Sequence, residues 1–296
     1  MSRCSICPRK CKIDRNHDVG FCGEGDVMRV SRIAPHFYEE PPISYKNGSG
    51  TVFFSGCNLR CVFCQNKNIS QGERIGKEYS QGELIAAIVN LQESGVHNIN
   101  LVTPTHFALQ IAAMLEEMKK HNLLRVPVVY NSSGYEDIGT LKALDGLVDI
   151  YMPDLKYFSS ELSAKYSSAP DYFEVASKAI VEMLRQRGRY RYNDSPPELL
   201  DSGVIVRHLV LPSNRKDSMN ALSHLAELIT PSDVLISLMS QYTPDFALDS
   251  EYSELHRRIT SFEYNSVCSH AISLGFDGFM QSRSSASAVY TPDFKG

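Results

Sequence analysis

Three cysteines within one short stretch carry the most specific chemistry in the chain: Cys57, Cys61 and Cys64, spaced C-x3-C-x2-C. Cysteine thiolates hold iron–sulfur clusters. A cubane cluster has four irons, so three thiolates leave one iron without a protein ligand, and an open position on a metal site is where a substrate or cofactor binds. Zinc prefers four ligands and this loop offers three. A disulfide would leave one cysteine over.

A second set, Cys4, Cys7, Cys11 and Cys22, lies in a head too short to bury a core of its own. Four thiolates there suit one tetrahedral S4 site, either zinc or a second Fe–S cluster, whose binding would supply folding free energy. Reduced, unliganded thiols are the plainer reading. Cys268 stands alone at helical spacing and reads as a small buried hydrophobe. The chain has 296 residues and eight cysteines, seven of them before residue 65. No apolar stretch follows the opening Met-Ser-Arg-Cys, and no apolar run reaches a membrane-spanning length. The expectation is therefore a cytoplasmic, reducing setting, where clustered cysteines hold metal more often than they pair. A net charge of −4 argues against nucleic acid as the partner. So does the lack of a basic stripe, although Arg3, Arg9, Lys10, Lys12 and Arg15 make the head locally basic.

These thiols need a scaffold, and the pattern supplies one. Short apolar runs at 51–55, 98–103, 126–131, 148–152, 204–211 and 234–239 read as strands, with a further short one at 278–280. Helical patterns separate them, the first opening on a capping box of Ser80 and Glu83. Alternation of this kind gives a parallel sheet with helical crossovers. Six units are too few for a full eight-unit barrel. The expected fold is α/β, an incomplete (β/α)6-type TIM-like barrel over 51–296, preceded by a Cys-rich metal-binding extension over 1–34 and a linker over 35–50. A doubly wound open sheet is the alternative. The triad follows directly on the first strand, at the carboxyl end where sites on such sheets belong.

C-x3-C-x-aromatic-C on that loop resembles the radical S-adenosylmethionine (SAM) superfamily. The segments SGTVFFSGCNLRCVFCQNKNIS, NLVTPTH, DIYMPDLKYF, VRHLVLP and ISLMSQYTP resemble its pyruvate formate-lyase activating-enzyme-like subgroup, the glycyl-radical-enzyme activase-related chains. The resemblance covers nearly the whole chain. It implies a 4Fe–4S cluster on Cys57, Cys61 and Cys64 whose open iron chelates SAM. It implies reductive cleavage of SAM to methionine and a 5′-deoxyadenosyl radical that takes hydrogen from a substrate, with a glycine of a partner protein as the candidate. An electron donor such as flavodoxin or ferredoxin would then be needed.

The same resemblance implies that Phe63 lies near the adenine and that strand-end polar residues line the SAM pocket. Relatives often carry Gly-Gly-Glu after the second strand to hold the SAM amino group; this chain has Thr103-Pro104-Thr105-His106, so Thr103, Thr105 or His106 would serve, unless His106 belongs to the next helix's first turn. Asn131 and Ser133 follow the third strand, in the place of ribose or methionine contacts, though an ordinary turn uses the same residue types. Asp154 and Lys156 follow the fourth strand as Asp-x-Lys, on one side of an extended segment, suited to the zwitterionic methionine end and the ribose hydroxyls; a strand-end ion pair is the plainer reading. His208 in the fifth strand is a ribose contact by resemblance or else a core histidine, and Gln241 and Tyr242 follow the sixth strand toward a substrate. The competing class is a non-catalytic iron–sulfur or zinc protein for electron transfer or scaffolding, which would have no affinity for SAM.

Overall fold

The computed structural model describes residues 3–72 and 74–281. Its strands are β1 Met28–His36, β2 Ser49–Phe54, β3 Lys77–Tyr79, β4 Ile99–Val102, β5 Val128–Ser132, β6 Ile150–Pro153, β7 Arg191–Tyr192, β8 Leu200–Leu209, β9 Leu235–Met239 and β10 Asp277–Met280. Its helices are α1 Pro41–Ser44, α2 Lys67–Ser70, α3 Gln81–Glu93, α4 Ala108–Lys120, α5 Ile138–Lys142, α6 Ser160–Ser167, α7 Tyr172–Arg187, α8 Arg215–Leu228 and α9 Ser261–Ser273. One sheet runs β10-β9-β8-β6-β5-β4-β2-β1-β3. From β2 to β10 every neighbour along that order is parallel. This is the partial TIM-like α/β barrel expected from the alternation, with β10 as a short seventh parallel strand at its edge.

Alternation along each strand divides the sheet into two faces. Tyr130, Tyr151, Val204 and Val206 belong to the main core beneath the helices. Val129, Ile150, Met152, Ile205 and Leu235 form a second core on the inner face, closed by Ile43 of α1. The capping box at the start of α3 is present in both directions, Glu83 N–H to Ser80 and the Glu83 carboxylate back to the Ser80 amide.

The N-terminal third departs from expectation. The boundary at residue 34 falls inside β1, which pairs antiparallel with β2 from Val30 to His36. The 35–50 stretch is not a free linker: it holds the end of β1, the helix α1 and the start of β2. Proline at 41 and 42 suits the first turn of a helix, and Asn98 Nδ2 holds the Ile43 carbonyl. The segment therefore folds into the inner face of the barrel and brings Glu39 and Glu40 with it.

Candidate active site

The triad loop is fixed from two sides. Gly56 takes φ +81°, and a Cβ there would lie 2.6 Å from the Cys22 carbonyl oxygen, so only glycine fits this close approach. The Cys57 amide donates to that same carbonyl at 3.2 Å. The Arg60 guanidinium lies over the Phe21 ring and donates to the Phe21 carbonyl at 3.0 Å. From the other side, Asn58 is fully buried, and its amide donates to the Tyr135 carbonyl at 2.6 Å. Arg9 of the head donates to the Asn58 carbonyl at 2.8 Å. The Cys-rich head and the triad loop are thus one packed unit.

Cys57, Cys61 and Cys64 line one cavity together with Phe63. Burial pushes the Cys57 and Cys64 thiols up, and the neighbouring thiolates of the triad push further in the same direction, with Lys156 opposing. Each sulfur has a hydrogen-bond partner: the Leu59 amide donates to Cys57 at 3.4 Å, the Ser167 hydroxyl donates to Cys61 at 3.0 Å, and the Ser70 hydroxyl is bonded to Cys64 at 3.3 Å. Donors of this kind stabilise thiolate ligands and tune the group they hold. Among the described residues no three Cys, His, Asp or Glu side chains converge on a single-ion site. A cubane cluster is larger than one ion and takes its thiolates correspondingly further apart. The triad, buried, hydrogen-bonded and open toward a cavity, fits such a cluster.

The same cavity, about 240 Å³ in volume, also has a polar lining. Asp154, just past β6, accepts from Lys156 Nζ at 2.6 Å and from Arg207 Nε at 3.0 Å. Arg207 also reaches the Asn131 side-chain oxygen at 2.6 Å. Burial works to raise the Asp154 pKa, but Arg207 and Lys156 hold it below the ordinary carboxylate value. Burial would lower that of Lys156, and Asp154 with Cys61 keeps it above its ordinary value. Gly134 at φ +76° lets the turn after β5 pass the Asp154 carbonyl, which a Cβ would meet at 2.2 Å. The Tyr172 hydroxyl, within 2.8 Å of the Ser133 and Asp154 carbonyls, accepts from the Lys156 amide at 3.1 Å. Thr103 lines the cavity with φ 57°, a costly conformation for a β-branched residue, held by its amide's bond to the Asn131 carbonyl at 2.9 Å.

Of the residues expected here, the structure brings Cys57, Cys61, Cys64, Phe63, Thr103, Asn131, Ser133, Asp154 and Lys156 to one cavity. Four expected residues, Thr105, His106, His208 and Tyr242, do not line it. Thr105 is buried and donates to Glu136 at 2.5 Å. His106 is buried against the Ser55 carbonyl at 2.7 Å, and burial drives its pKa down to about 3. His208 lies on the outer face of β8 with Nδ1 at the Leu155 carbonyl, its pKa driven down to about 4 by burial. Its neighbour Arg207 takes the inner face instead. Gln241 lines the cavity, whereas the Tyr242 hydroxyl is bound to the Leu255 carbonyl at 2.6 Å. Arg207, Glu39 and Glu40 are lining residues that the sequence reading missed. Alternation groups Arg207 with Ile205 and Leu209 but leaves open which face points inward; the two acids lie in the stretch read as linker.

In the N-terminal set, burial pushes the Cys7 thiol up to about 12, with the Cys22, Glu136 and Cys11 charges adding to it. The Cys22 thiol is also raised by burial, and Cys11 and Cys4 add to it. The Phe21 amide donates to Cys11 Sγ at 3.3 Å. Cys268 is buried in the core on α9.

The family model of the radical SAM superfamily matches residues 51–212. The chain belongs to that superfamily, whose members bind a 4Fe–4S cluster and SAM and cleave SAM by a radical mechanism. An uncharacterized protein of Methanocaldococcus jannaschii is 29% identical over 267 residues, which are 87% of this chain and 70% of that protein. A radical SAM methyltransferase from Sphaerobacter thermophilus shares the fold with a TM-score of 0.53 at 15% identity, over 78% of this chain and 65% of its own. The chain thus spans less than two thirds of that structure. A domain of a pyruvate-formate lyase-activating enzyme from Bacteroides vulgatus aligns over 59% of this chain and 94% of its own, at 13% identity and a TM-score of 0.41. No helix among the described residues is long and apolar enough to cross a membrane.

Proposed function

We propose that this chain is an activating-type radical SAM enzyme. Cys57, Cys61 and Cys64 would hold the cluster, and the wall of Asn131, Ser133, Asp154, Lys156 and Arg207 would hold SAM against it. The observation that carries the reading is that three hydrogen-bonded thiols and a half-buried Asp154–Lys156–Arg207 network line one cavity. A cluster held by Cys57, Cys61 and Cys64 would supply the electron for reductive cleavage of SAM. Everything else falls to the protein. Lys156 and Arg207 offer donors to a carboxylate. Asp154 and Asn131 offer acceptors to hydroxyl or ammonium groups. Phe63, buried edge-on to Tyr242 at 6.1 Å between ring centres, offers an apolar wall to an adenine. Thr103 takes the place of the Gly-Gly-Glu segment at the end of β4.

The substrate in this reading is a glycine of a partner protein, supported by the subgroup resemblance of the strand-end segments. The electron would come from a flavodoxin or ferredoxin. The N-terminal cysteines would hold a second metal that locks the head onto the triad loop; among the described residues they do not converge on a single-ion site, which favours an Fe–S cluster over zinc.

The test is anaerobic reconstitution followed by SAM and dithionite. 5′-Deoxyadenosine should form, and Cys61→Ala should form none. A partner carrying α-deuterated glycine should pass deuterium into the deoxyadenosine; product without label refutes the glycine reading while leaving SAM cleavage standing. A cluster-loaded protein that neither binds nor cleaves SAM would return the chain to the electron-transfer class.

A further inference from the structure

One carboxylate lining the cavity has an oxygen with no hydrogen-bond partner among the described residues. Glu39, Glu40 and Asp154 line the cavity with Lys156 and Arg207; burial, with Glu40 beside it, pushes the Glu39 pKa up to about 7, so Glu40 and Asp154 are the carboxylates that stand against the two cations. His36 also lines it, but burial, with the nearby Arg32, lowers its pKa and keeps it neutral at pH 7. Both cations are already engaged: Lys156 by Asp154, and Arg207 by Asp154 and Asn131, with Glu39 at 3.8 Å from its remaining nitrogen. Glu40 is 94% buried by its 6% exposure, and its Oε2 has no hydrogen-bond partner among the described residues. A buried carboxylate oxygen left unpaired is costly, and a cation or hydrogen-bond donor brought to it would relieve that cost. A thiolate-held cluster beside the cavity adds no positive charge. Glu39 and Glu40 reach this position because Ile43 anchors their segment in the inner core and Asn98 ties down its backbone. That is a built placement, not an accident of a surface loop.

We propose that the substrate group entering this cavity carries a positively charged nitrogen, an alkylammonium or guanidinium, held by Glu40 and the adjacent Glu39. The proposal rests on the radical SAM reading of the site and adds the chemical class of what is brought to the radical. The same chemistry exists in SAM itself, whose amino group is an ammonium. The two sources separate when SAM is already bound.

The experiment uses the reconstituted protein saturated with SAM under anaerobic, non-reducing conditions. Binding of n-butylamine, n-butanol and butyrate is followed by saturation-transfer NMR. The amine should bind and the other two should not. Glu40→Gln should weaken amine binding by roughly ten-fold or more, the scale of one charge-assisted hydrogen bond, with SAM affinity unchanged. Glu39→Gln is the second variant and should weaken it several-fold, so a folding failure of either still leaves a reading. Equal binding of amine and alcohol, or amine binding unchanged in both variants, overturns the proposal. A loss of SAM affinity in Glu40→Gln matching the loss for the amine assigns the carboxylate to SAM and overturns the substrate assignment. Dithionite added afterwards to the same samples should yield deoxyadenosine, which reports separately on the radical SAM reading.

Discussion

Arg207 Nη2 and Nε both stand 3.0 Å from the Asp154 carboxylate, across neighbouring parallel strands joined at that point by a bridge. The pairing goes with Arg207, not His208, as the β8 residue that lines the cavity. It also concentrates buried charge where a zwitterionic cosubstrate would need it. Breaking such a pair from one side leaves the other charge stranded, which costs about 3–5 kcal/mol. Asp154→Asn should therefore lower the urea midpoint clearly and weaken SAM binding. The pH sign follows from the direction of the shift. Asp154 is held below its ordinary pKa, so the stability it contributes is present above the ordinary aspartate range and lost as pH falls through the folded value. The variant should lack that acid-side loss; an unchanged acid limb in urea melts would contradict it.

How much of this was legible in the sequence depends on the physical signal each part leaves. The triad is local, and its spacing alone carries its chemistry. Asp154 and Lys156 lie two apart on extended chain, so their shared side follows from geometry. The strand VIVRHLVL shows alternation but not its phase, since Val204, Val206 and His208 form one face and Ile205, Arg207 and Leu209 the other, both largely apolar. Only the sheet's neighbours determine which set faces inward. The 35–50 stretch hid its role because proline and glycine mark turns equally well in a linker and in a folded plug. Its anchors, Asn98 to the Ile43 carbonyl and the β1–β2 pairing, are long-range and invisible locally.

Glu136 gives a prediction of opposite sign. It is buried, accepts from Thr105, and its pKa is pushed up to about 7, first by burial. The unfolded chain ionises this carboxyl first, so stability falls as pH rises from about 4.5 toward 7 and levels off above. The loss amounts to roughly 3 kcal/mol at most, an order-of-magnitude figure for a buried group. Glu136→Gln should flatten that limb of the stability curve and gain relative to wild type at pH 8. Urea midpoints between pH 4.5 and 8 check it, and parallel curves for the two proteins would count against the assignment.

Gly56 tests the union of head and barrel. An alanine methyl would meet the Cys22 carbonyl at 2.6 Å, at a φ that L-residues rarely take. Strain and clash together should cost about 2–4 kcal/mol, and they fall directly on the residue before Cys57. Gly56→Ala should reduce iron uptake as well as stability. Full iron content in a destabilised variant would separate the head's packing from the site.

The metal content of the head is a count. Converting Cys4, Cys7, Cys11 and Cys22 together to serine removes every candidate ligand of the second site without touching the triad. If that site holds a cluster, iron should fall by one cubane's share; if zinc, zinc should vanish and iron stay. Unchanged metal in the fourfold variant would leave the head as a set of reduced thiols packed against the loop.

The hydroxyl of Ser167 donates to Cys61 Sγ at 3.0 Å and is itself bonded to the Tyr157 hydroxyl at 2.7 Å. Ser167 ends α6 and is fully buried, so solvent does not replace it when it is removed. A hydrogen bond to a cluster sulfur stabilises the reduced, more negative state. Ser167→Ala should therefore lower the reduction potential of the triad-held cluster. One such bond is worth about 1 kcal/mol, which corresponds to a shift on the order of 40 mV for one electron. A lower potential makes the cluster a stronger reductant but harder to charge, so dithionite should reduce a smaller fraction of it. Redox titration followed by electron paramagnetic resonance reads both effects. An unmoved potential would show that this hydroxyl fixes the position of Cys61 without tuning the cluster it holds.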